Sequence, residues 1–131
     1  MDLAAFQRDG ALRIAGLFDE VRLAELSDLA VEGPGARLQH ADLPARIAPA
    51  TDAACRLMGR RAQPVRAVLF DKTPAANWSV AWHQDRTIPV VERIEVDGFG
   101  PWSRKDGILH VAPPVGVLER MITLRIHIDP V

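Results

Sequence analysis

Residues 121–129 read MITLRIHID, the clearest alternation of apolar and polar side chains in the sequence. Successive side chains of a β-strand point to opposite faces, so this pattern predicts a strand whose apolar face carries Ile122, Leu124, Ile126 and Ile128. The other face would carry Thr123, Arg125 and His127. We expect these polar groups to line the interior of a barrel, or to face water if the strand belongs to an ordinary sandwich.

Upstream of this stretch, helix signals come first along the chain. Asp19 is a typical N-cap, and it predicts a helix over Glu20–Ala30. A shorter helix is predicted over Leu3–Arg8, and another one begins with Thr51 as its cap and ends at Gly59. The segment 1–62 is therefore expected to be mainly helical.

Strand signals follow in the segment 63–131, which we expect to be rich in β-structure. Short extended segments are predicted at residues 65–70 and 86–91, where β-branched and aromatic residues are common, and a further one at residues 11–15. Residues 97–109 are interrupted by glycine and proline and are predicted to form a loop. Pro113 and Pro114 open a helical turn that runs through Glu119. Helices first and strands later predict an α+β fold built on an antiparallel sheet.

Composition limits the class of protein. The chain of 131 residues is 48% hydrophobic and 25% charged, as expected for one soluble globular domain over residues 1–131. The net charge of −1 argues against nucleic acid and anionic membranes as partners. The first residues lack the pattern of a signal peptide, and no apolar run reaches the roughly 18 residues of a membrane helix, so we expect a cytoplasmic protein. Cys55 is the single cysteine, which excludes an internal disulfide.

The candidate metal ligands are His83 and Asp85. Residues two apart on a strand share a face, so an imidazole and a carboxylate at this spacing can bind one ion. The spacing is not specific, because it occurs three times in the chain, also at residues 40–42 and 127–129, and chance predicts roughly half an occurrence. Context favours His83, which lies beside Trp82 and ahead of an extended apolar run. From the pattern alone, a metal site and a chance pair remain equally open.

Several longer motifs are more specific to a protein family than the His-x-Asp spacing. They are FDKTPAANW at 70–78, WHQDRTI at 82–88, GFGPWS at 98–103, KDG at 105–107, LERM at 118–121 and LRIHID at 124–129. Together these motifs resemble the phytanoyl-CoA dioxygenase family of iron(II)/2-oxoglutarate oxygenases. The resemblance is densest from about Val65 to the end of the sequence, and it is looser over residues 6–29.

The resemblance implies a partial double-stranded β-helix, the cupin-like jelly roll, with helices packed outside. It implies iron(II) and 2-oxoglutarate as cofactors, and oxygen and a small molecule as substrates. His83 and Asp85 would be iron ligands, and retention of Asp85 favours hydroxylation over halogenation. Lys72 matches the lysine that reaches the cosubstrate, although a solvated turn lysine is an equally open interpretation. With Lys72, we take Thr123 and Arg125 as candidate cofactor-binding residues.

One departure from the family concerns the third iron ligand. In the family, the second histidine and an arginine for 2-oxoglutarate follow the strand that matches residues 124–129, but here only Pro130 and Val131 follow. His110 and His127 are the available substitutes, and we expect both to be structural or rim residues. An incomplete barrel would leave a sheet edge uncovered, which favours self-association.

Three interpretations follow from the sequence. In the first, the chain is a hydroxylase of this class, or a truncated copy of one. In the second, it is an inactive truncated remnant. In the third, it is a cupin-like module that binds a metal or a small acid.

Overall fold

The computed structural model describes residues 1–29, 35–38, 40–75, 79 and 81–129. The chain forms two compact units. We call residues 1–30, 40–64 and 123–131 the helical unit, and residues 31–39 and 65–122 the β unit. Helices in the first and antiparallel strands in the second confirm the α+β class predicted from the sequence.

The helical unit contains α1 (Leu3–Asp9), α2 (Glu20–Ser27), α3 (Leu43–Arg46) and α4 (Ala48–Met58). Capping residues mark the N-termini of α1 and α2 and the C-termini of α1 and α4. The carboxylate of Asp19 accepts a hydrogen bond from the amide of Arg22 at 2.8 Å, so the predicted N-cap is confirmed. Gly10 and Gly59 end α1 and α4 in the left-handed conformation, at the residues where the sequence predicts the ends.

Two helix boundaries differ from the prediction. The helix α2 ends at Ser27, earlier than predicted, and Ala30 lies outside the described residues. The prediction of Thr51 as an N-cap is wrong, because α4 begins at Ala48 and Thr51 lies within it. Proline in the first turn of α4 explains the earlier start, since its fixed φ suits that position and its missing amide hydrogen is not needed there.

The core of the helical unit is built on α4. Ala50, Ala53 and Ala54 are buried and lie at i, i+3 and i+4, so they form one face of the helix. Leu26 of α2 and Leu43 of α3 are buried in the same unit, and α3 packs against both α2 and α4. Small side chains on one helix allow close packing of its neighbours.

The β unit contains two antiparallel sheets. In the first, β1 (Ala36–Arg37) pairs with β2 (Val68–Leu69). The second has the order β3-β5-β4 and is formed by β3 (Ile88–Pro89), β4 (Trp102–Lys105) and β5 (Ile108–Val111). The helical turn α5 (Val115–Leu118) follows where Pro113 and Pro114 predict it.

The central strand β5 carries the buried residues of this sheet. Val111 is 1% exposed and His110 is 0% exposed. In the register, His110 pairs with Pro89 on one side and with Ser103 on the other. Proline has no amide hydrogen to donate, and its position on the edge strand β3 is the place in a sheet where this is tolerated.

The strands β4 and β5 form a hairpin, so the prediction of a loop over residues 97–109 is wrong for residues 102–105 and 108–109, which lie in these strands. The two-residue turn consists of Asp106 and Gly107, whose φ angles are 50° and 76°. Positive φ at both positions is what a type I′ hairpin turn requires, and Asp-Gly is one of its preferred pairs.

The prediction of a strand over residues 121–129 is also wrong, as is that over residues 11–15, because both segments lie outside the helices and strands. A strand needs a neighbouring backbone, and the ladders of the described residues include none for these segments. Exposure still follows most of the alternation, since Thr123 and Arg125 are exposed and Ile126 and Ile128 are half-buried. The helices of the described residues are all too short or too polar to cross a membrane.

Candidate functional site

His83 lies on the exposed segment that precedes β3, outside any helix or strand. Its Nδ1 is 2.9 Å from the carbonyl oxygen of Ala81. A carbonyl can only accept a hydrogen bond, so this contact places the ring hydrogen on Nδ1 and leaves the lone pair of the neutral ring on Nε2. Metal-binding histidines commonly hold their second nitrogen in this way, which fixes the tautomer and the ring orientation.

Asp85 is exposed on the same segment and forms an ion pair. Its Oδ2 accepts a hydrogen bond from a terminal guanidinium nitrogen of Arg66 at 2.8 Å. The side chain of Asp85 is 56% exposed, while that of Arg66 is 27% exposed. A metal ion at Asp85 would therefore share this carboxylate with Arg66, or it would displace Arg66 from the carboxylate. Arg66 is not among the site residues predicted from the sequence, although a charged residue inside the apolar stretch 65–70 is a signal that could have indicated it.

His83 and Asp85 are ligand types that iron(II) binds, but they are fewer than the three protein ligands of its usual site. A facial triad needs two imidazoles and one carboxylate, and His83 and Asp85 supply one of each. The described residues contain no group of three or more histidine, cysteine, aspartate or glutamate side chains that could hold a metal ion. The assignment of His83 and Asp85 as ligands therefore remains a prediction.

The predicted cofactor-binding residues fall in different units. Lys72 is exposed and follows β2 in the β unit, whereas Thr123 and Arg125 are exposed and belong to the helical unit. Of the neighbouring motif, Asn77 and Trp78 lie outside the described residues. The roles of Lys72, Thr123 and Arg125 also remain predictions.

The two candidate substitutes for a third ligand differ sharply in exposure. His127 is exposed, whereas His110 is fully buried on β5 with its Nδ1 2.9 Å from the carbonyl oxygen of Ile108. Its Nε2 is buried and has no hydrogen-bond partner among the described residues.

A cavity of about 220 Å³ lies in the β unit, at a place where the sequence predicts no site. Its polar lining residues are Arg37, Arg66 and His110, and the others, which include Leu38 and Pro89, are apolar. These residues come from β1, from the segment ahead of β2, from β3 and from β5. Because the pairing of these segments brings them together, no local pattern in the sequence could have indicated the cavity.

Comparison with known proteins adds no family assignment. The chain matches no protein-family model, no curated protein and no solved structure. The resemblance to the phytanoyl-CoA dioxygenase family therefore remains a prediction from the quoted motifs.

Proposed function

We propose that this chain carries the metal-binding segment of an iron(II)/2-oxoglutarate-dependent oxygenase that hydroxylates a small molecule. The observation that carries the proposal is the hydrogen bond of His83 to the Ala81 carbonyl. This hydrogen bond leaves the lone pair of Nε2 for a metal ion, and His83 lies two residues before Asp85 in the sequence. Under this proposal, the three-stranded antiparallel sheet is one part of a jelly roll of the phytanoyl-CoA dioxygenase type.

Each residue would have a separate role. His83 supplies a neutral nitrogen ligand, and Asp85 supplies a negative charge that partly neutralises the divalent ion. Lys72 offers an ammonium group to a carboxylate of 2-oxoglutarate. When bound, iron(II) with 2-oxoglutarate supplies the activation of oxygen that hydroxylation requires, with succinate and carbon dioxide as coproducts.

A second candidate function is binding of a metal ion or a small acid without turnover. One observation on the described residues favours it. Two arginines, Arg37 and Arg66, line the cavity of the β unit, and a guanidinium group can bind a carboxylate.

The test measures metal binding and succinate formation on the same preparations. Iron(II) is titrated without oxygen by calorimetry, and succinate formed from 2-oxoglutarate is then measured in the presence of oxygen. We expect His83→Ala to weaken iron binding at least about tenfold, since it removes one of two protein ligands. His40→Ala is the matched control, because His40 is exposed and precedes Asp42 at the same spacing.

The outcomes separate the two functions. Iron-dependent succinate formation that His83→Ala abolishes and His40→Ala preserves would support the oxygenase. Iron binding at His83 without succinate would favour the binding module. Equal iron affinities in the parent protein, His83→Ala and His40→Ala would contradict the assignment of His83 as a ligand.

A further inference from the structure

We infer that residues 123–129 are an interaction surface for a second copy of this chain, which adds the same residues to them as an antiparallel strand. The surface lies in the helical unit, and neither a metal ion nor the proposed oxygenase function is required for the pairing. Three features of the segment support it: an extended backbone without a partner, side chains already placed as in a strand, and charges that match those of an identical segment.

The backbone of this segment is straight and unpaired. Residues 121–128 contain no turn or bend. No residue from 123 to 129 forms a backbone hydrogen bond with any other residue that the structure describes. Five of these seven residues are exposed, so a second chain can reach the segment. A row of unpaired amide and carbonyl groups along an extended segment is a template for a further strand.

The side chains of the segment are already placed as in a strand with one covered face. Ile126 and Ile128 are half-buried, whereas Arg125, His127 and Asp129 alternate with them and are exposed. A strand added at the edge would continue both faces, because directly opposite residues of an antiparallel pair lie on the same face. Pairing therefore requires no change in which side chains are covered.

The edge strands of the three-stranded sheet differ from this segment. The edge strand β4 carries Arg104 and Lys105, and the edge strand β3 carries Pro89. Charged side chains and proline on an edge strand hinder the addition of another strand. Residues 123–129 contain neither lysine nor proline. Strand addition is therefore opposed at the edges of this sheet and unopposed at the segment 123–129.

The order of charged and apolar residues selects a second copy as the partner. In an antiparallel pair centred on His127, Arg125 lies opposite Asp129 of the second copy, and the two-fold symmetry repeats this ion pair. Ile126 lies opposite Ile128 of the second copy, and this apolar contact is repeated as well. Opposite charges and apolar side chains in directly opposite positions stabilise a strand pair. An interface between identical copies must be complementary to itself, and this segment is.

Other registers lack this match. A shift of one residue would place apolar residues opposite polar ones along the whole pair. A pair centred on Arg125 would set two guanidinium groups directly opposite each other, which is unfavourable. A pair centred on Ile126 would set Arg125 opposite His127, so that neither ion pair forms. The register centred on His127 is therefore the one we assign.

The first experiment measures association of the full chain by sedimentation velocity at concentrations up to about 1 mM. We expect a monomer–dimer equilibrium, with slower amide hydrogen exchange at residues 123–129 as the dimer forms. A monomer at every concentration would overturn the inference, and so would a dimer that leaves exchange at these residues unchanged. Protection of these residues in the monomer would also overturn it, because another part of the same chain would then cover them.

The second experiment exchanges charges to test the register. Arg125→Asp and Asp129→Arg each place like charges opposite each other twice, so each should weaken the dimer at least about tenfold. An equimolar mixture of the two variants should restore association, because every aspartate in the mixed dimer then lies opposite an arginine. Both positions are exposed, so neither substitution removes a buried contact.

Arg13→Asp is the matched control for these variants. Arg13 is exposed in the helical unit, on another segment outside the helices and strands, and the same change of charge there should leave association unaltered. Equal weakening by Arg13→Asp would show that the effect is one of net charge and would overturn the assigned pairing. A mixture of Arg125→Asp and Asp129→Arg that stays monomeric would overturn it too.

Discussion

The contacts that stabilise the two units differ in how far apart in the sequence their residues lie. In the helical unit, the contacts that define the elements are local, as when Asp19 caps the amide of Arg22 and Gly10 closes the first helix. In the β unit, contacts join segments that are remote in sequence. The ion pair between Arg37 of β1 and Asp106 of the hairpin turn is one of them.

This difference predicts how each unit responds to substitution. Removing a local cap should loosen one helix end and leave most of the unit intact. Removing a buried side chain or a turn residue of the β unit should affect several strands at once, because each strand is stable only while its neighbours are in place. Substitutions in each unit test this contrast.

Val111→Ala should have the largest effect on stability. Val111 is 1% exposed on the central strand, so truncation removes two buried methyl groups and leaves a cavity. We expect a loss of about 1.5–3 kcal/mol in the free energy of unfolding, measured by urea denaturation. Val91→Ala is the control, because Val91 is fully exposed and its truncation should change stability by less than about 0.5 kcal/mol. Equal losses for both variants would contradict the assigned core.

Gly107→Val should destabilise the hairpin by about 1–2 kcal/mol. The φ of Gly107 is +76°, a conformation that a β-branched residue adopts only with strain, and an added Cβ would meet no atom within 4 Å. The loss would therefore come from the backbone and not from a clash. Gly116→Ala is the comparison, since Gly116 lies in α5 with open space around it and should tolerate alanine. Thermal unfolding of both variants decides the point, and a stable Gly107→Val protein would exclude the assigned turn.

Asp19→Ala should cost about 1 kcal/mol, the usual loss for an N-cap, because the amide of Arg22 would lose its acceptor. Amide hydrogen exchange should show faster exchange in the first turn of α2 and little change in the β unit. Asp52→Ala, an exposed change inside α4, should leave α2 unaffected. Faster exchange throughout the β unit after Asp19→Ala would contradict the proposed contrast.

The smallest effect concerns the titration of Asp42. The hydrogen bond from Arg46 at 2.7 Å lowers the pKa of the Asp42 carboxyl below its ordinary value. A carboxyl whose pKa is lower in the folded state stabilises the fold above its unfolded pKa, and this contribution is lost as the pH falls through the folded pKa. Arg46→Gln should raise the pKa of Asp42 toward the ordinary value, as followed by NMR of the carboxyl carbon. Arg56→Gln should leave it unchanged.

The helix ends could be predicted because their signals are local. Asp19, Gly10 and Gly59 each act within about one turn of their own position, so the sequence around them contains the information that matters. The hairpin was also predictable, since Asp106 and Gly107 form a favoured turn pair. The frequent glycines and prolines nearby led instead to the prediction of a loop.

Other features depend on partners that no local pattern specifies. Residues 121–129 alternate as a strand does, but pairing requires a second backbone, which the alternation cannot supply. The candidate site shows the same limit. The spacing of His83 and Asp85 suggested a metal site, but the ion pair with Arg66 and the burial of His110 arise from tertiary packing.

The contrasting environments of two tryptophans give the protein a built-in optical reporter. The Trp82 side chain is fully open to water next to His83, whereas the indole nitrogen of Trp102 is buried in the hairpin. Water around an excited indole shifts its emission to the red, so Trp82 should emit at longer wavelength than Trp102. A paramagnetic ion seated on His83 would quench the emission of Trp82 first, and the difference between the spectra of the parent protein and Trp82→Phe would isolate that emission.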